Sequence, residues 1–191
     1  MVGDLEVTLG RHGAVEVHGQ HDEEDWKITL AETGEETQTG GRLVAVRKYL
    51  GGDEPFLLTY GDGVSDVDVG ATIAAHRAHG KVASVTAVRA PGRFGEMVVD
   101  AGRVRQFQEK PLLSAGFISG GFFVLDSRRI WDYVAPSPGT IFEQEPLRAL
   151  AGADQLMAYA HQGFWQPMDT YREYQLLNGL WASGQAPWKT W

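Results

Sequence analysis

Leu5, Val7 and Leu9 alternate with other residues, Val15 and Val17 repeat the alternation, and Trp26, Ile28 and Leu30 give it a third time. Successive side chains of a strand point to opposite faces, so this opening stretch reads as strands. Leu43, Val46 and Leu50 then recur at helical spacing behind Thr39-Gly40-Gly41, which predicts a glycine turn opening a helix over 42–50. The middle is the most regular part. Residues 56–60 form a short apolar run that predicts a buried strand, 69–79 a helix stopped by Gly80, and 82–88 a β-branched strand. Strand, helix and strand at these lengths make a βαβ unit, with parallel strands and a right-handed crossover.

Farther along, 96–100 and 103–108 flank Ala101-Gly102 as a hairpin, and 117–125 reads as a strand interrupted by Gly120-Gly121. Ser127 is placed to cap a helix over 128–134. Thr140 with Glu143, and Thr170 with Glu173, have capping-box spacing before helices over 144–150 and 174–181. Between the last two helices, 156–160 predicts a strand leading into Gly163-Phe164-Trp165-Gln166-Pro167-Met168-Asp169. No linker or repeat divides the chain. The expectation is one α/β domain over 1–191 with a mixed, mostly parallel sheet and a small antiparallel insertion.

Composition narrows the chemistry. A chain of 191 residues can bury a core without staples, and with no Cys it offers no disulfide, iron–sulfur cluster, zinc ribbon or cysteine nucleophile. With 17 Lys plus Arg against 25 Asp plus Glu the net charge is −8, and no basic run marks a polyanion footprint, so no nucleic-acid partner is expected. Apolar runs are far short of the roughly 18 residues that span a bilayer, and Met1-Val2-Gly3-Asp4 does not open a signal peptide. A soluble, cytoplasmic protein without a membrane partner is the expectation. The 24 glycines are nearly twice the usual share of about 7 per cent and stand at the ends of apolar runs, where they close turns or let backbone approach a ligand.

Ligands of an open α/β sheet bind outside the carboxyl ends of its strands. Asp62, held between Gly61 and Gly63 after the 56–60 run, stands at such an end, and Asp169 follows the 156–160 strand and its loop. If those ends are adjacent, two carboxylates face one pocket and suit Mg²⁺, which takes one or two protein carboxylates and completes its shell with phosphate and water. Turn chemistry explains Asp62 equally, and helix capping Asp169. Asp66 and Asp68 precede a helix whose N-terminus favours negative charge, with a DxD metal motif as the alternative. Lys110, beside Glu109, is either a surface charge or a phosphate contact. Arg42 is either an exposed first-turn residue or an anion contact at a helix N-terminus whose free N–H groups attract phosphate. His76 and His79 share a helix face without a third zinc ligand at a recognisable spacing, and no G-x-S-x-G elbow is present. Trp181, Trp188 and Trp191 suggest core or interface packing.

Several segments in order resemble one family: Thr39-Gly40-Gly41-Arg42-Leu43, Tyr60-Gly61-Asp62-Gly63, Pro91-Gly92-Arg93-Phe94-Gly95, Phe107-Gln108-Glu109-Lys110-Pro111, Glu143-Gln144-Glu145-Pro146-Leu147, and Gly163 through Asp169-Thr170. The set is similar to the bacterial glucose-1-phosphate cytidylyltransferases of the sugar nucleotidyltransferase superfamily, over essentially the whole chain. The resemblance implies a Rossmann-like nucleotidyltransferase domain that makes CDP-glucose and pyrophosphate from CTP and α-D-glucose 1-phosphate. It implies Mg²⁺ on Asp62 and Asp169. Thr37, Arg42 and Gly61 match nucleotide contacts, Glu109 and Lys110 match the pair that binds the sugar and its phosphate, and Lys110 joins the two aspartates in catalysis. Ser119 stands where the family usually has Asn. It also implies a homo-oligomer.

The family's opening G-G-x-G-T-R-L loop and P-K-P segment do not occur in these residues. The expectation is therefore an N-terminally truncated chain with impaired turnover, unpaired strand edges and a tendency to associate. A nucleotidyltransferase for another base or sugar, a non-catalytic sugar-phosphate-binding or partner subunit, and a glycosyltransferase using Asp66-Val67-Asp68 are the alternatives.

Overall fold

A computed structural model describes residues 27–89 and 116–190, together with strands at 4–7, 15–18, 96–100 and 103–108. It contains two compact units, Met1–Glu32 and Thr33–Trp191. In the first, β1 (Asp4–Val7) pairs antiparallel with β2 (Val15–His18). The alternation around Ile28 and Leu30 does not make a further strand. Both side chains are exposed, at 74% and 91%, and residues 27–32 have no ladder partner. Alternation specifies a strand only where a neighbouring edge supplies hydrogen bonds and a cover for one face.

The second unit is built on a four-stranded sheet of order β3–β8–β5–β9, formed by Phe56–Thr59, Ile118–Leu125, Ala83–Val88 and Leu156–Ala160. β8 is antiparallel to both β3 and β5, and β5 is parallel to β9. Three of the four strands therefore run the same way, with β8 reversed among them. The expected βαβ unit is present as β3, helix α2 (Val69–His79) and β5, but β8 lies between its two strands. That position leaves β3 at an edge of the sheet, half-buried in alternation rather than fully buried, with Leu57 52% exposed. The core lies against this sheet, where Leu43, Phe123, Leu125, Ile130, Phe142 and Leu150 pack together. β6 (Glu96–Asp100) and β7 (Arg103–Gln108) form the expected hairpin. β4 (Gly63–Ser65) and β10 (Trp165–Pro167) make a separate antiparallel ribbon.

The helices follow their capping chemistry with two corrections. α2 starts at Asp68, whose carboxylate accepts from the Ala71 N–H at 2.8 Å, and ends at Gly80 with φ 62°, a left-handed position that glycine tolerates. α4 (Tyr171–Ala182) carries the expected capping box of Thr170 and Glu173. The box expected from Thr140 and Glu143 does not form. α3 (Glu145–Gly152) begins without a side-chain cap, with Pro146 in its first turn, because the Thr140 hydroxyl donates to the Ala135 carbonyl and the Glu143 carboxylate is engaged elsewhere. The helix expected over 128–134 is a single 3-10 turn, Ile130–Asp132. Asp126 rather than Ser127 accepts from the backbone N–H groups of Arg128 and Arg129, and the buried Ser127 hydroxyl finds no partner.

Candidate functional site

The ribbon of β4 and β10 brings the two candidate metal ligands together. Its register sets Pro167 opposite Gly63, and the Met168 N–H donates to the Asp62 carbonyl at 2.7 Å. Asp62 and Asp169 therefore leave adjacent strand ends on the same end of the ribbon, and both are exposed. The ribbon is fixed to the main sheet by the Trp165 indole, which donates to the Gly120 carbonyl at 2.8 Å. A second tie lies at its other end, where the Ser65 hydroxyl and Asp66 N–H both donate to the Phe164 carbonyl and His161 Nε2 lies 2.9 Å from Asp66 Oδ1. Asp66 and Asp68 thus serve a loop tie and a helix cap, and the DxD reading loses its physical basis. Asp169 is held at its backbone, the N–H donating to Glu173 Oε2 at 2.9 Å, so the box that starts α4 also fixes the base of this side chain.

Among the described residues no group of three or more ligating side chains could hold a metal. Two carboxylates at adjacent strand ends are a sufficient protein share for Mg²⁺, which retains waters and takes phosphate oxygens for the rest of its octahedron. The donor set thus fits that ion and does not fit a structural zinc site.

Helix α1 (Thr39–Val46) contains Gly40 and Gly41 in its first turn, not in a turn ahead of it, and a 3-10 turn, Arg47–Tyr49, completes the expected segment. A Cβ on Gly40 would lie 2.9 Å from the Thr140 carbonyl oxygen, and one on Gly41 would lie 2.8 Å from that of Ser137. The helix start is pressed onto the backbone of residues 137–140. The N–H groups of Gly40 and Gly41 donate to the Thr140 carbonyl at 2.9 and 3.1 Å, and that of Gln38 donates to the Pro138 carbonyl at 2.8 Å. This corrects the expectation of free N–H groups for phosphate at this terminus: the chain's own carbonyls occupy them. Arg42 is likewise engaged, its guanidinium donating to Thr33 Oγ1 at 2.6 Å and to the Glu35 carbonyl at 2.9 Å. It braces the turn in which the Thr37 N–H donates to the Gly34 carbonyl. Thr37 and Arg42 are thus held on one structured loop and helix start.

Gly61 is exposed, and a Cβ there would meet nothing within 4 Å, so the chain's own packing does not require glycine at this position. The Ser119 hydroxyl accepts from the Gly121 N–H at 3.3 Å. Glu109 and Lys110 lie outside the described residues.

Two features escaped the sequence patterns. Glu143, placed by its spacing in a capping box, instead accepts from the Tyr60 hydroxyl in a short contact and from Thr39 Oγ1 at 2.6 Å. Burial, then the Glu143 carboxylate and the charge of Asp62, push the Tyr60 phenol far above its ordinary range, so it stays a hydrogen-bond donor. The two histidines of α2 form a hydrogen-bonded chain through one hydroxyl. The Lys81 N–H donates to His79 Nδ1, so His79 carries its proton on Nε2 and donates to Ser84 Oγ at 2.8 Å, and the same Ser84 Oγ is hydrogen-bonded with His76 Nδ1 at 2.9 Å. Burial lowers both imidazole pKa values, that of His76 further through His79 and that of His79 through Lys81. Their role is structural, pinning α2 to β5.

The family model for nucleotidyl transferases matches residues 8–172. The chain is 53% identical over 177 residues to the glucose-1-phosphate cytidylyltransferase of Salmonella typhi, a match that covers 93% of this chain and 68% of that enzyme. It is 34% identical over 161 residues to mannose-1-phosphate guanylyltransferase 1 of Arabidopsis thaliana, covering 81% of this chain and 44% of that protein. Among solved structures, HddC from Yersinia pseudotuberculosis aligns with a TM-score of 0.53 at 22% identity, over 73% of this chain and 60% of that one, which is a likeness of fold.

Proposed function

Because the chain belongs to the nucleotidyl transferase family, we propose that it transfers the cytidylyl group of CTP to α-D-glucose 1-phosphate, giving CDP-glucose and pyrophosphate. The observation that carries this reading is the 53% identity to the Salmonella enzyme, spread over 93% of the chain. The adjacency of Asp62 and Asp169 at the ribbon end supports it from the side of geometry. In the reaction an oxygen of the sugar phosphate bonds to the α-phosphorus of CTP, the bond from that phosphorus to the α–β bridging oxygen breaks, and pyrophosphate leaves. Little covalent work falls to the protein, whose task is to align two anions and offset their charge.

Asp62 and Asp169 would hold Mg²⁺, which supplies positive charge to the phosphates when bound. Gly61 leaves open backbone for the nucleotide, and Thr37 with Arg42 forms the wall that meets cytidine. Glu109 and Lys110 take the sugar and its phosphate, where the ammonium is a point charge beside the developing negative charge in catalysis. The protein is proposed to work in the cytoplasm, as a homo-oligomer. No helix among the described residues is long and apolar enough to cross a membrane.

Pyrophosphate release from CTP, UTP, GTP and dTTP in the presence of Mg²⁺ and glucose 1-phosphate tests the reading. Release with CTP above the other nucleotides is expected. Turnover with GTP and mannose 1-phosphate instead would move the chain to the specificity named for its Arabidopsis relative, and binding of glucose 1-phosphate without any release would make it a sugar-phosphate-binding subunit.

A further inference from the structure

We infer that Glu143 is a positioning residue of the nucleotide half of the site, joining the start of α1 to the strand end that carries Asp62. This rests on the cytidylyltransferase reading above and adds a residue to it.

An exposed glutamate ordinarily keeps its carboxylate in water. Here both oxygens are committed to donors from distant parts of the chain: Oε1 takes the Tyr60 hydroxyl, and Oε2 takes the Thr39 hydroxyl at 2.6 Å. Thr39 Oγ1 in turn accepts from the Phe142 N–H at 2.9 Å, which closes the arrangement back onto the segment that carries Glu143. That segment is itself anchored, because the Phe142 ring is buried in the core against Phe123, at a centroid separation of 5.4 Å. The core therefore holds the carboxylate, and the carboxylate holds two neighbours.

Those neighbours are the segments on which nucleotide binding depends. Thr39 immediately precedes Gly40-Gly41 and Arg42, while Tyr60 immediately precedes Gly61 and Asp62. Among the described residues no strand ladder joins them, since α1 ends before β3 begins and β3 pairs there with β8 alone. A negative group this close to a polyanion site would repel the ligand if it were idle. Donation from two hydroxyls spreads that charge, and the charge-assisted bonds are stronger and more directional than neutral ones. The bridge touches the segments assigned to the nucleotide and includes neither Glu109 nor Lys110, the residues assigned to the sugar and its phosphate, so its loss is expected to act first on the nucleotide.

Calorimetric titration of the 191-residue protein with CTP and Mg²⁺, and separately with glucose 1-phosphate, tests the inference alongside thermal unfolding. Glu143→Gln keeps the volume but replaces one acceptor oxygen by an NH₂ group. Its Kd for CTP is expected to rise about tenfold, the scale at which loss of a supporting partner acts, with Tm unchanged and the affinity for glucose 1-phosphate held within about twofold. Tyr60→Phe removes a single hydroxyl, leaves the ring in place against Phe123, and decides the matter if the Gln variant does not fold; a smaller rise in the same Kd is expected. Unchanged CTP affinity in the folded variants overturns the inference. So does parallel weakening of both ligands with a lowered Tm, which marks a merely structural bond. Failure of the unsubstituted protein to bind CTP is a different pattern, which overturns the proposed function and takes this inference with it.

Discussion

Gly40-Gly41 and the glycines on either side of Asp62 look alike along the chain, yet their surroundings are opposite. Around the first pair the space for a side chain is filled by backbone of residues 137–140, at 2.8–2.9 Å from where a Cβ would stand. Around Gly61 that space is empty, and at Gly63 the nearest atom is 3.7 Å away. The same residue type thus marks a close internal approach in one place and an open approach in the other. The difference teaches where this fold is complete in itself and where it leaves room: the start of α1 is finished by its own loop, whereas the ribbon end with Asp62 and Asp169 faces outward.

The largest effect expected from that contrast is functional. Asp62→Asn keeps shape and exposure but halves the carboxylate pair, so Mg²⁺-dependent use of CTP should fall about 10²- to 10³-fold, the scale for losing one charge-stabilising group. The urea midpoint should not move. An Asn variant with full Mg²⁺-dependent turnover would remove the metal assignment.

Next comes stability. Gly41→Ala drives a methyl group into two carbonyl oxygens and should cost about 1–3 kcal/mol, whereas Gly61→Ala should stay within about 0.5 kcal/mol by urea unfolding. Equal costs at the two positions would erase the comparison.

The closed part of the fold should also carry the pH sensitivity. His76 and His79 are neutral in the native protein, with pKa values below the ordinary 6.5 of an exposed imidazole. Above that value their contribution is intact. As pH falls, the unfolded chain takes up protons that the native chain refuses, so stability declines until the lowered native values are passed. Tm should therefore drop between about pH 7 and 5, and Ser84→Ala, which leaves both imidazoles without their shared partner, should cost about 1–2 kcal/mol at neutral pH. A Tm that rises on acidification would contradict the hydrogen-bonded chain.

The smallest effect belongs to the border of the open site. Thr170→Ala removes the cap of α4 at a cost of about 1 kcal/mol. Because Glu173 also holds the Asp169 N–H, a modest rise in the Mg²⁺ concentration needed for CTP binding should accompany it.

Much of the fold was legible because the signals were local. Asp68 and Gly80 bound α2, Thr170 and Glu173 start α4, and the apolar runs of β5, β8 and β9 lie where periodicity put them. The caps depend on contacts within a turn of chain, and the strands are marked by their own apolar, β-branched runs, although their ladders join segments far apart. Legibility failed where a local pattern had a distant competitor. Thr140 and Glu143 have the spacing of a capping box, but hydroxyls 83 and 104 residues away offered Glu143 stronger partners. Ser127 has the right identity for a cap, but Asp126, with a full charge, takes the N–H groups first.

By itself the sequence determined most of the element types, though not the missing strand around Ile28 and Leu30, the 3-10 turn at Ile130–Asp132 or the short strand β4, and it supplied the two aspartates as candidates and the family. Tertiary structure alone decided that β8 enters between β3 and β5, that the ribbon register puts Asp62 beside Asp169, and that the N–H groups at the start of α1 are used internally. The physical reason is common to all three. Strand order, register and hydrogen-bond partners are set by competition among groups far apart in the chain, and the outcome depends on which of them burial and backbone pairing bring together.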